Sequence, residues 1–493
     1  MNGRLRLGRI RPVWFTWFVL LCLLLSPAAV AQAGTPRTVN APYQGSSVNW
    51  AQTAIFWFGE AELRADRLPP GRNYVDVRVA YNDAGLLFSI NAIDYFAWYD
   101  ASATASSDPR LFDGAAIYLD TSGGRNTTPQ PSSYYFLSGL YLTGHISPSS
   151  VPNYQRSARG RGGSWDTSWK APWQILDAWA EWCPTCSAPN SNSSAGVDYG
   201  WFIRTQIPWA SLGLSGPPAA GQTWDLGVVL YDRDEPLPAA PLPPQVWPET
   251  FDAQSPATWG RLRFGATANS AAPGLASGQT VIRRGLGTSR VEDAWIGGGG
   301  VCGGGHMGDP DGDYHGDDMN LFVGNQYQVA DFPCSSKSYL RFYLEGVPPG
   351  STILSATLTM HHWGNAYPPE AHPSLVQVFT VDNTWAEDSL SWNNAPMARE
   401  NIATTWVSPL PDYYEGPGNP YTWDVTAATA AAYATGSPLS IALYSADWYL
   451  HGSKYLRSSE VDDWYAAARP TLTIVWGDTG RERVHLPLLS AGR

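Results

Sequence analysis

The sequence predicts an all-β protein built from two β-sandwich domains in tandem, with jelly-roll-like topology. Three observations predict this class. Short segments in which apolar and polar residues alternate recur along the chain, as in strands with one buried face. Glycine and proline, with 48 and 40 residues, supply the many turns that such strands need. No region alternates strands with long helices, which disfavours a parallel α/β fold.

Composition shifts divide the chain into two large blocks. A run of small residues over 266–279 predicts a linker, and a polar stretch from residue 477 leads into a tail. The predicted segments are a signal peptide (1–33), a first sandwich (34–265) with an insertion at about 122–198, the linker (266–279), a second sandwich (280–476) and the tail (477–493).

Residues 1–33 have the pattern of a secretory signal peptide. Four arginines precede the apolar run 13–25, and the small residues between Ala29 and Ala33 offer cleavage sites. The alternative is a permanent anchor, but the run is shorter than the about 20 residues that span a bilayer. We therefore expect an extracellular or cell-surface protein whose mature chain has no membrane span.

The charge of the chain bounds its partners. The formal net charge is −12, and the excess of acid grows when the arginine-rich leader is removed. A surface of this sign repels nucleic acid and anionic lipid. We therefore expect neither as a partner.

Four cysteines follow the leader: Cys183, Cys186, Cys302 and Cys334. An even number in an exported chain predicts two disulfides, for which we expect the pairs Cys302–Cys334 and Cys183–Cys186. The alternative for the second pair is a redox dithiol. That chemistry needs the first thiol at a helix N-terminus, whereas the surrounding sequence is rich in serine, asparagine and proline.

The first block contains clear strand patterns. Segment Tyr74–Tyr81 alternates with period two, which predicts a strand with one buried face, and Leu86–Ile90 follows a turn as its hairpin partner. Further predicted strands are Ala115–Leu119, Trp224–Tyr231 and Arg261–Phe264.

Taken in order, several segments of this block resemble family 9-like carbohydrate-binding modules. They are the hairpin that starts at Tyr74, Asp113–Asp120, Ile207–Gly213, Gly221–Val228 and Trp259–Leu262. The resemblance implies a β sandwich that binds sugar or a related ligand, often with structural calcium. The cluster Asp232–Glu235 falls where that family is also acidic, so we expect a turn or a calcium ligand there rather than a catalytic pair.

Aromatic side chains are the candidate sugar contacts, because flat rings can cover the apolar C–H faces of sugars while polar groups bond the hydroxyls. The alternative is that they pack the core. Trp165, Trp169 and Trp173 recur every four residues, which on a helix would place them on one face. The predicted carbohydrate-binding residues are Trp57, Tyr95, Trp98, Trp165, Trp169 and Trp173.

The second block also reads as β, with one helix at Val425–Thr435 between Asp424 and Gly436. Its predicted strands are Tyr339–Leu344, Ile353–His361, Leu375–Val381, Leu439–Tyr444 and Thr471–Trp476. Its motifs resemble DNRLRE domains, also classed as family 96 carbohydrate-binding modules; they include Glu292–Ile296, Ser338–Phe342, Val347–Ile353, Trp385–Pro396, Trp423–Thr426 and Ser458–Glu460. The resemblance implies an extracellular β sandwich found on polysaccharide-active or surface proteins. Glu387, Asp388 and Asp424 are expected in turns and caps.

An acidic segment within 297–318 departs from that family. Its carboxylates at Asp309, Asp311, Asp313 and Asp317 are spaced as in loops that bind calcium, which takes six to eight oxygen ligands. The alternative is a solvated acidic loop. We expect a structural calcium ion here.

No catalytic motif is present: the sequence has no Gly-x-Ser-x-Gly elbow, no His-Glu-x-x-His and no phosphate loop. The adjacent His361 and His362 would point to opposite faces of a strand and so not share a ligand. We therefore expect a secreted, non-catalytic protein whose partner is a polysaccharide or other glycan. The alternatives are a structural or adhesion protein, a polysaccharide lyase or glycoside hydrolase, and, more remotely, a haem or redox protein.

Overall fold

The all-β prediction is confirmed. The computed structural model describes residues 36–59, 73–94, 96–182, 192, 198–265, 271–297, 319–325, 336–365, 368–391, 394–411, 416–447 and 452–478. Residues 37–493 form one compact unit. In these ranges no helix is long and apolar enough to cross a bilayer.

The described residues form twenty-four strands and one α-helix of nine residues. In chain order they are β1 (Thr38–Ala41), β2 (Ala54–Gly59), β3 (Tyr74–Tyr81), β4 (Gly85–Ile93), β5 (Gly114–Asp120), β6 (Ser133–Gly139), β7 (Gln155–Arg161), β8 (Ser164–Asp166), β9 (Gln174–Trp182), β10 (Asp198–Pro208), β11 (Thr223–Tyr231), β12 (Gln245–Trp247), β13 (Gly260–Phe264), β14 (Gly278–Ile282), β15 (Val291–Gly297), β16 (Asn320–Val323), β17 (Ser336–Phe342), β18 (Ser351–Asn365), β19 (Ser374–Thr380), β20 (Glu400–Val407), β21 (Asn419–Asp424), α1 (Thr426–Ala434), β22 (Leu439–Ser445), β23 (Lys454–Arg457) and β24 (Thr471–Asp478).

Three sheets build two sandwiches, and one sheet takes part in both. The 13-stranded sheet has the order β15-β17-β22-β19-β20-β1-β13-β11-β5-β6-β7-β8, with β12 beside β11. Its β1 pairs in parallel with β13 on one side and with β20 on the other, so this strand joins the two halves. The five-stranded sheet β2-β3-β4-β10-β9 belongs to the first sandwich, and the six-stranded sheet β14-β24-β18-β23-β16, with β21 beside β18, belongs to the second.

Each sandwich has its own apolar core. The first lies between the five-stranded sheet and strands β1, β13, β11, β5 and β6, and contains Phe88, Trp201 and Trp224. The second lies between the six-stranded sheet and strands β15, β17, β22 and β19, and contains Trp295 and Trp423. Burial of these large side chains is the main stabilising contribution to each sandwich.

Strands of the predicted insertion complete both sheets of the first sandwich. Strands β6, β7 and β8 continue the 13-stranded sheet beyond β5, and β9 pairs with β10 at the edge of the five-stranded sheet. The insertion is therefore part of the sandwich. Residues 266–270 of the predicted linker lie outside the described residues, and residues 278 and 279 already belong to β14.

A third apolar cluster lies between the sandwiches. Trp57 on the outer face of the five-stranded sheet contacts Phe379 and Tyr444 edge-on, with ring centroids 5.1 and 5.5 Å apart. The period-two pattern of β3 predicts one buried face, and this prediction is wrong because every residue of Tyr74–Tyr81 is buried. The polar face of β3 is covered by the second sandwich.

Polar residues of this interface are paired across it. Asp76 Oδ2 accepts hydrogen bonds from Asn325 Nδ2 at 2.6 Å and from the Tyr444 hydroxyl at 2.8 Å. Arg78, which is fully buried, donates to Asn325 Oδ1 at 3.3 Å. Such buried polar groups are tolerated only when partners are in place, so the two sandwiches depend on each other for this network.

Lys337 is the buried cation of the interface. Its ammonium lies 4.9, 4.4 and 4.3 Å from the ring centroids of Trp57, Tyr74 and Tyr444, and it donates to the Tyr74 hydroxyl. Burial lowers the pKa of Lys337 to about 7, although the charge of Asp76 acts in the opposite direction.

Replacing Lys337 with methionine should therefore weaken the dependence of the free energy of unfolding on pH between about pH 7 and 10. The unfolded chain holds the lysine proton up to about pH 10.4, whereas the folded chain releases it near pH 7. The lysine thus lowers stability as pH falls from about 10 to 7. Denaturant unfolding measures this effect. The free energy of unfolding of K337M, relative to that of the wild type, should be higher at pH 7 than at pH 10. An unchanged difference would contradict the assigned pKa.

The helix prediction is confirmed with ends shifted by one residue. Asp424 Oδ1 accepts from the backbone N–H of Thr426 at 2.9 Å and so satisfies a first-turn donor. Gly436, two residues beyond the helix, has a φ of 65°, the left-handed conformation that favours glycine.

Candidate functional site

Three of the predicted sugar-contact tryptophans are core residues. Trp57, Trp98 and Trp173 are 4, 9 and 8% exposed. Trp57 lies between the sandwiches, and Trp173 packs against Phe136 in the first core. A buried ring has no open face on which a sugar can stack, so the structure does not support these three residues as a platform.

Trp165, Trp169 and Trp173 do not lie on a helix, so the shared face that their spacing would give on a helix does not form. Trp165 is in strand β8, and the other two lie in the extended segment that leads into β9. Trp165 is half-buried on the outer side of the 13-stranded sheet, stacked 6.4 Å from Trp259, and its indole N–H donates to the carbonyl of Ala253. Trp169 instead packs against the first core beside Tyr134.

Other predicted site residues lie outside the described residues, and their assignments stay predictions. They are Tyr95, the four cysteines at 183, 186, 302 and 334, and the acidic residues Asp309, Asp311, Asp313 and Asp317. The signal peptide, 1–33, is outside them as well.

Four carboxylates converge at one end of the first sandwich. Asp94 directly follows β4, Asp113 directly precedes β5, and Asp232 and Asp234 follow β11. Because β5 and β11 are antiparallel neighbours with Gly114 opposite Tyr231, the residues just beyond them meet at the same edge. Oxygens of Asp94, Asp232 and Asp234 lie within 4.8 Å of one another, and all three residues are buried. We call these three residues the aspartate triad.

Hydrogen bonds hold the surrounding carboxylates in place. Asp94 accepts from the backbone N–H of Phe96 and from the indole N–H of Trp201, both at 2.9 Å. Asp113 accepts from the backbone N–H groups of Trp98 and Arg233. These bonds orient the acidic oxygens of Asp94 and Asp113.

The electrostatics of this site favour a bound cation. Burial, followed by the charges of Asp94 and Asp234, raises the pKa of Asp232 to about 9. Burial and the same kind of repulsion raise the pKa of Asp113 well above its usual range. Asp232 Oδ1 is buried without a hydrogen-bond partner among the described residues. Clustered carboxylates of this kind either hold protons or bind a metal ion.

Calcium fits the donor set. Carboxylate oxygens are its preferred ligands, whereas the triad contains no nitrogen or sulfur donor that would select zinc. The sequence singled out Asp232–Glu235 but missed Asp94 and Asp113; Glu235 is exposed and lies outside the triad. Asp94 lies four residues after the predicted strand that ends at Ile90 and Asp113 two residues before the one that begins at Ala115, so an aspartate near a predicted strand end was the signal that could have found them.

The outer face of the six-stranded sheet carries a row of partly exposed rings. Phe322 lies 4.7 Å from Tyr455, and Tyr455 lies 5.7 Å from Trp363, measured between ring centroids. Arg457 stacks on Trp363 at 4.6 Å and reaches towards Tyr465 at 5.7 Å. We call Phe322, Tyr455, Trp363, Arg457 and Tyr465 the aromatic row.

Trp464, which follows Asp463 and precedes Tyr465, is 90% exposed, the most exposed of the large aromatic residues in the described ranges. It lies in a short 3₁₀ segment, Asp463–Ala468, whose buried Ala468 holds it against the sheet. An open indole that adjoins Tyr465 of the aromatic row in the chain is an apolar surface of the kind that marks binding sites. Sequence reasoning missed it because one tryptophan beside two aspartates resembles any exposed turn.

The adjacent histidines do not form a shared site. His362 is fully buried, bonds through Nε2 to the carbonyl of Gly364, and has its pKa lowered to about 4 by burial. His361 is half-buried on the opposite face of β18. The expected separation of the two rings is confirmed.

Comparison with known proteins gives matches to carbohydrate-binding modules. The sequence model of carbohydrate-binding module family 96 matches residues 306–463, which confirms the resemblance of the second block over that range. No curated protein matches the chain.

Two solved structures of a family 9 carbohydrate-binding module from Caldicellulosiruptor kristjanssonii are similar to part of the chain. The complex with cellotriose is 16% identical, covers 48% of this chain and 98% of its own, and has a TM-score of 0.28. The complex with glucose is 13% identical, covers 48% of this chain and 100% of its own, and also has a TM-score of 0.28.

Proposed function

We propose that the protein is a non-catalytic, extracellular carbohydrate-binding protein whose glycan site is the outer face of the six-stranded sheet. The observation that carries this proposal is the open indole of Trp464, the chain neighbour of Tyr465 in the aromatic row. The family match over residues 306–463 includes Tyr455, Trp363 and Arg457 of that row, and it favours a sugar as the ligand.

The chemistry of the row suits a glycan. Trp464 offers a flat face for the C–H surface of a sugar ring, and the Tyr455 and Tyr465 hydroxyls can bond its rim. Arg457 places a cation within the row, which offsets the acidity of the chain for a ligand with carboxylates. Stacking on one exposed ring contributes little binding free energy, so we expect modest affinity for a single sugar. A polymer that presents many sugars should bind more tightly through avidity.

Substituting Trp464 with alanine tests this site. Loss of the stacking surface should weaken binding to the best polysaccharide by roughly tenfold, equivalent to about 1.4 kcal/mol. The measurement is affinity gel electrophoresis of the mature protein against a polysaccharide panel in calcium buffer.

Trp406, which is 43% exposed on β20 of the other sheet, provides the matched control. Trp406→Ala removes an indole of the same size and should leave the retardation unchanged. Equal losses in both variants, or no retardation of the wild type on any polysaccharide, would contradict the proposed site.

Calcium is the second part of the proposal, as a structural ion at the aspartate triad. The buried Oδ1 of Asp232, which has no hydrogen-bond partner among the described residues, and the convergence of three buried carboxylates support it. These carboxyls are 1 to 9% exposed, so a polysaccharide cannot reach them as a catalytic pair. This burial supports the non-catalytic part of the proposal.

A structural or adhesion protein is the second candidate. The burial of Trp57, Trp98 and Trp173 favours it, because most of the aromatic content then serves packing. Deletion of the gene for such a protein would change cell-surface assembly, and the purified protein would show no retardation on any polysaccharide.

A further inference from the structure

A second group of carboxylates converges at one end of the second sandwich. Asp293 is in β15, Glu387 lies between β19 and β20, and Glu460 follows β23. One oxygen from each lies within 4.8 Å of the others. Three separate stretches of chain therefore supply acidic oxygens to one point.

Asp293 is the buried member of the group. It is 1% exposed, and its Oδ2 accepts from the backbone N–H of Ser459 at 2.9 Å. Its Oδ1 is buried and has no hydrogen-bond partner among the described residues. A carboxylate oxygen removed from water without a partner is costly, which indicates that a ligand is needed there.

The other two carboxylates are partly open and oriented. Glu387 accepts from the backbone N–H of Asp293 at 2.9 Å, and the Ser459 hydroxyl donates to Glu460 at 3.1 Å. Their side chains are 23 and 13% exposed, so an ion can enter from solvent. The site has one closed side, at Asp293, and one open side.

Arg284 is the basic side chain that contacts the group. Its guanidinium is paired with Glu460 and lies 3.8 Å from Glu387. Its side chain is 46% exposed and comes from the segment between β14 and β15, so it can turn towards solvent. One guanidinium faces three carboxylates, and Asp293 Oδ1 has no hydrogen-bond partner among the described residues.

We propose that Asp293, Glu387 and Glu460 form a calcium site in the second sandwich, and that Arg284 is the counterion that calcium displaces. Three carboxylates can supply up to six oxygens, which matches the number that calcium takes. None of its three residues belongs to the aspartate triad or to the acidic segment at 309–317.

The first test counts bound ions. The calcium content of the full-length mature protein, measured by mass spectrometry after equilibrium dialysis, should fall by one ion per chain in E387Q/E460Q. The control is Asp388→Asn, an exposed carboxylate next to Glu387 that lies outside the group; it should keep the wild-type count. Circular dichroism verifies that each variant is folded, and an unchanged count in folded E387Q/E460Q would overturn the proposal.

The second test addresses Arg284. Removing a competing charge from the site should tighten calcium binding there, by roughly tenfold in R284Q, as measured by isothermal titration. If Arg284 only stabilised the fold through its ion pair, R284Q would lower the melting temperature without changing calcium affinity. Unchanged or weaker affinity would therefore overturn the assigned competition.

Discussion

Calcium should stabilise this protein strongly. The substitution Asp232→Asn should lower the free energy of unfolding in calcium and raise it in chelator. A ligand that binds only the folded state adds about 2.7 kcal/mol to the free energy of unfolding at 100 times its dissociation constant. In chelator Asp232 must take up a proton on folding, at a cost that grows with pH, whereas the asparagine is already neutral, so D232N should be more stable than the wild type. In calcium the variant loses a ligand and should be less stable.

The pH dependence of the metal-free protein follows from the same site. Burial raises the pKa of Asp232 to about 9, so between about pH 4 and 9 the folded chain holds more protons than the unfolded one. The contribution of this group is present at low pH and is lost as pH rises towards 9. Calcium displaces the proton, so the decline should shrink when it is added.

Thermal unfolding at pH 5 and pH 8, with chelator and with calcium, measures both effects. Glu235→Gln, at an exposed carboxylate adjacent to the triad, is the matched control and should follow the wild type. A D232N variant that is less stable than the wild type in chelator as well would show that the triad holds no cation.

Truncating Trp57 should destabilise the whole molecule and not the first sandwich alone. The side chain is 4% exposed and contacts Phe379 and Tyr444 of the second sandwich, and Lys337 lies over its ring. Replacing a buried tryptophan with alanine costs about 3–5 kcal/mol. Here the cavity would also loosen the polar network around Asp76, so the interface should open before either core.

Denaturant unfolding followed by tryptophan fluorescence checks this expectation. The wild type should unfold in one transition, since the sandwiches share strand pairing and a buried interface. W57A should unfold at lower denaturant concentration and in two steps. The exposed Trp406 again gives the control, because W406A should change stability by less than about 0.5 kcal/mol. A W57A profile equal to that of W406A would contradict the interface.

Local patterns in the sequence were sufficient to predict ten of the twenty-four strands of the described residues. Strand β3 matches the predicted Tyr74–Tyr81 at both ends, and the helix near 425–435 was found from its cap and its glycine. These features depend on neighbours within a few residues, where periodicity and turn chemistry decide. The family 96 resemblance rested on the same kind of ordered local motifs.

Long-range burial was beyond the reach of those patterns. The alternation in β3 correctly marks Asp76 and Arg78 as polar, but polarity does not say whether water or a second sandwich covers a face. Likewise, spacing by four in Trp165, Trp169 and Trp173 fits a helix or an extended segment that packs each ring separately. The meeting of Asp94 with Asp232 and Asp234 was missed because strand ends separated by more than one hundred residues come together only in the fold.

Strand β1 ties the beginning of the chain to a point far along it. Thr38 donates its backbone N–H to Arg399, and the side chains of Asn40 and Asn401 bond reciprocally to each other's strands across 361 positions. Residue 38 is synthesised long before residue 399. The first sandwich therefore exposes Asp76 and Arg78 until the second sandwich, which covers them, has been made. We therefore expect folding to be slow and to finish only after the whole chain is made, and a chaperone that shields the exposed sheet surface should raise the yield of correctly assembled molecules.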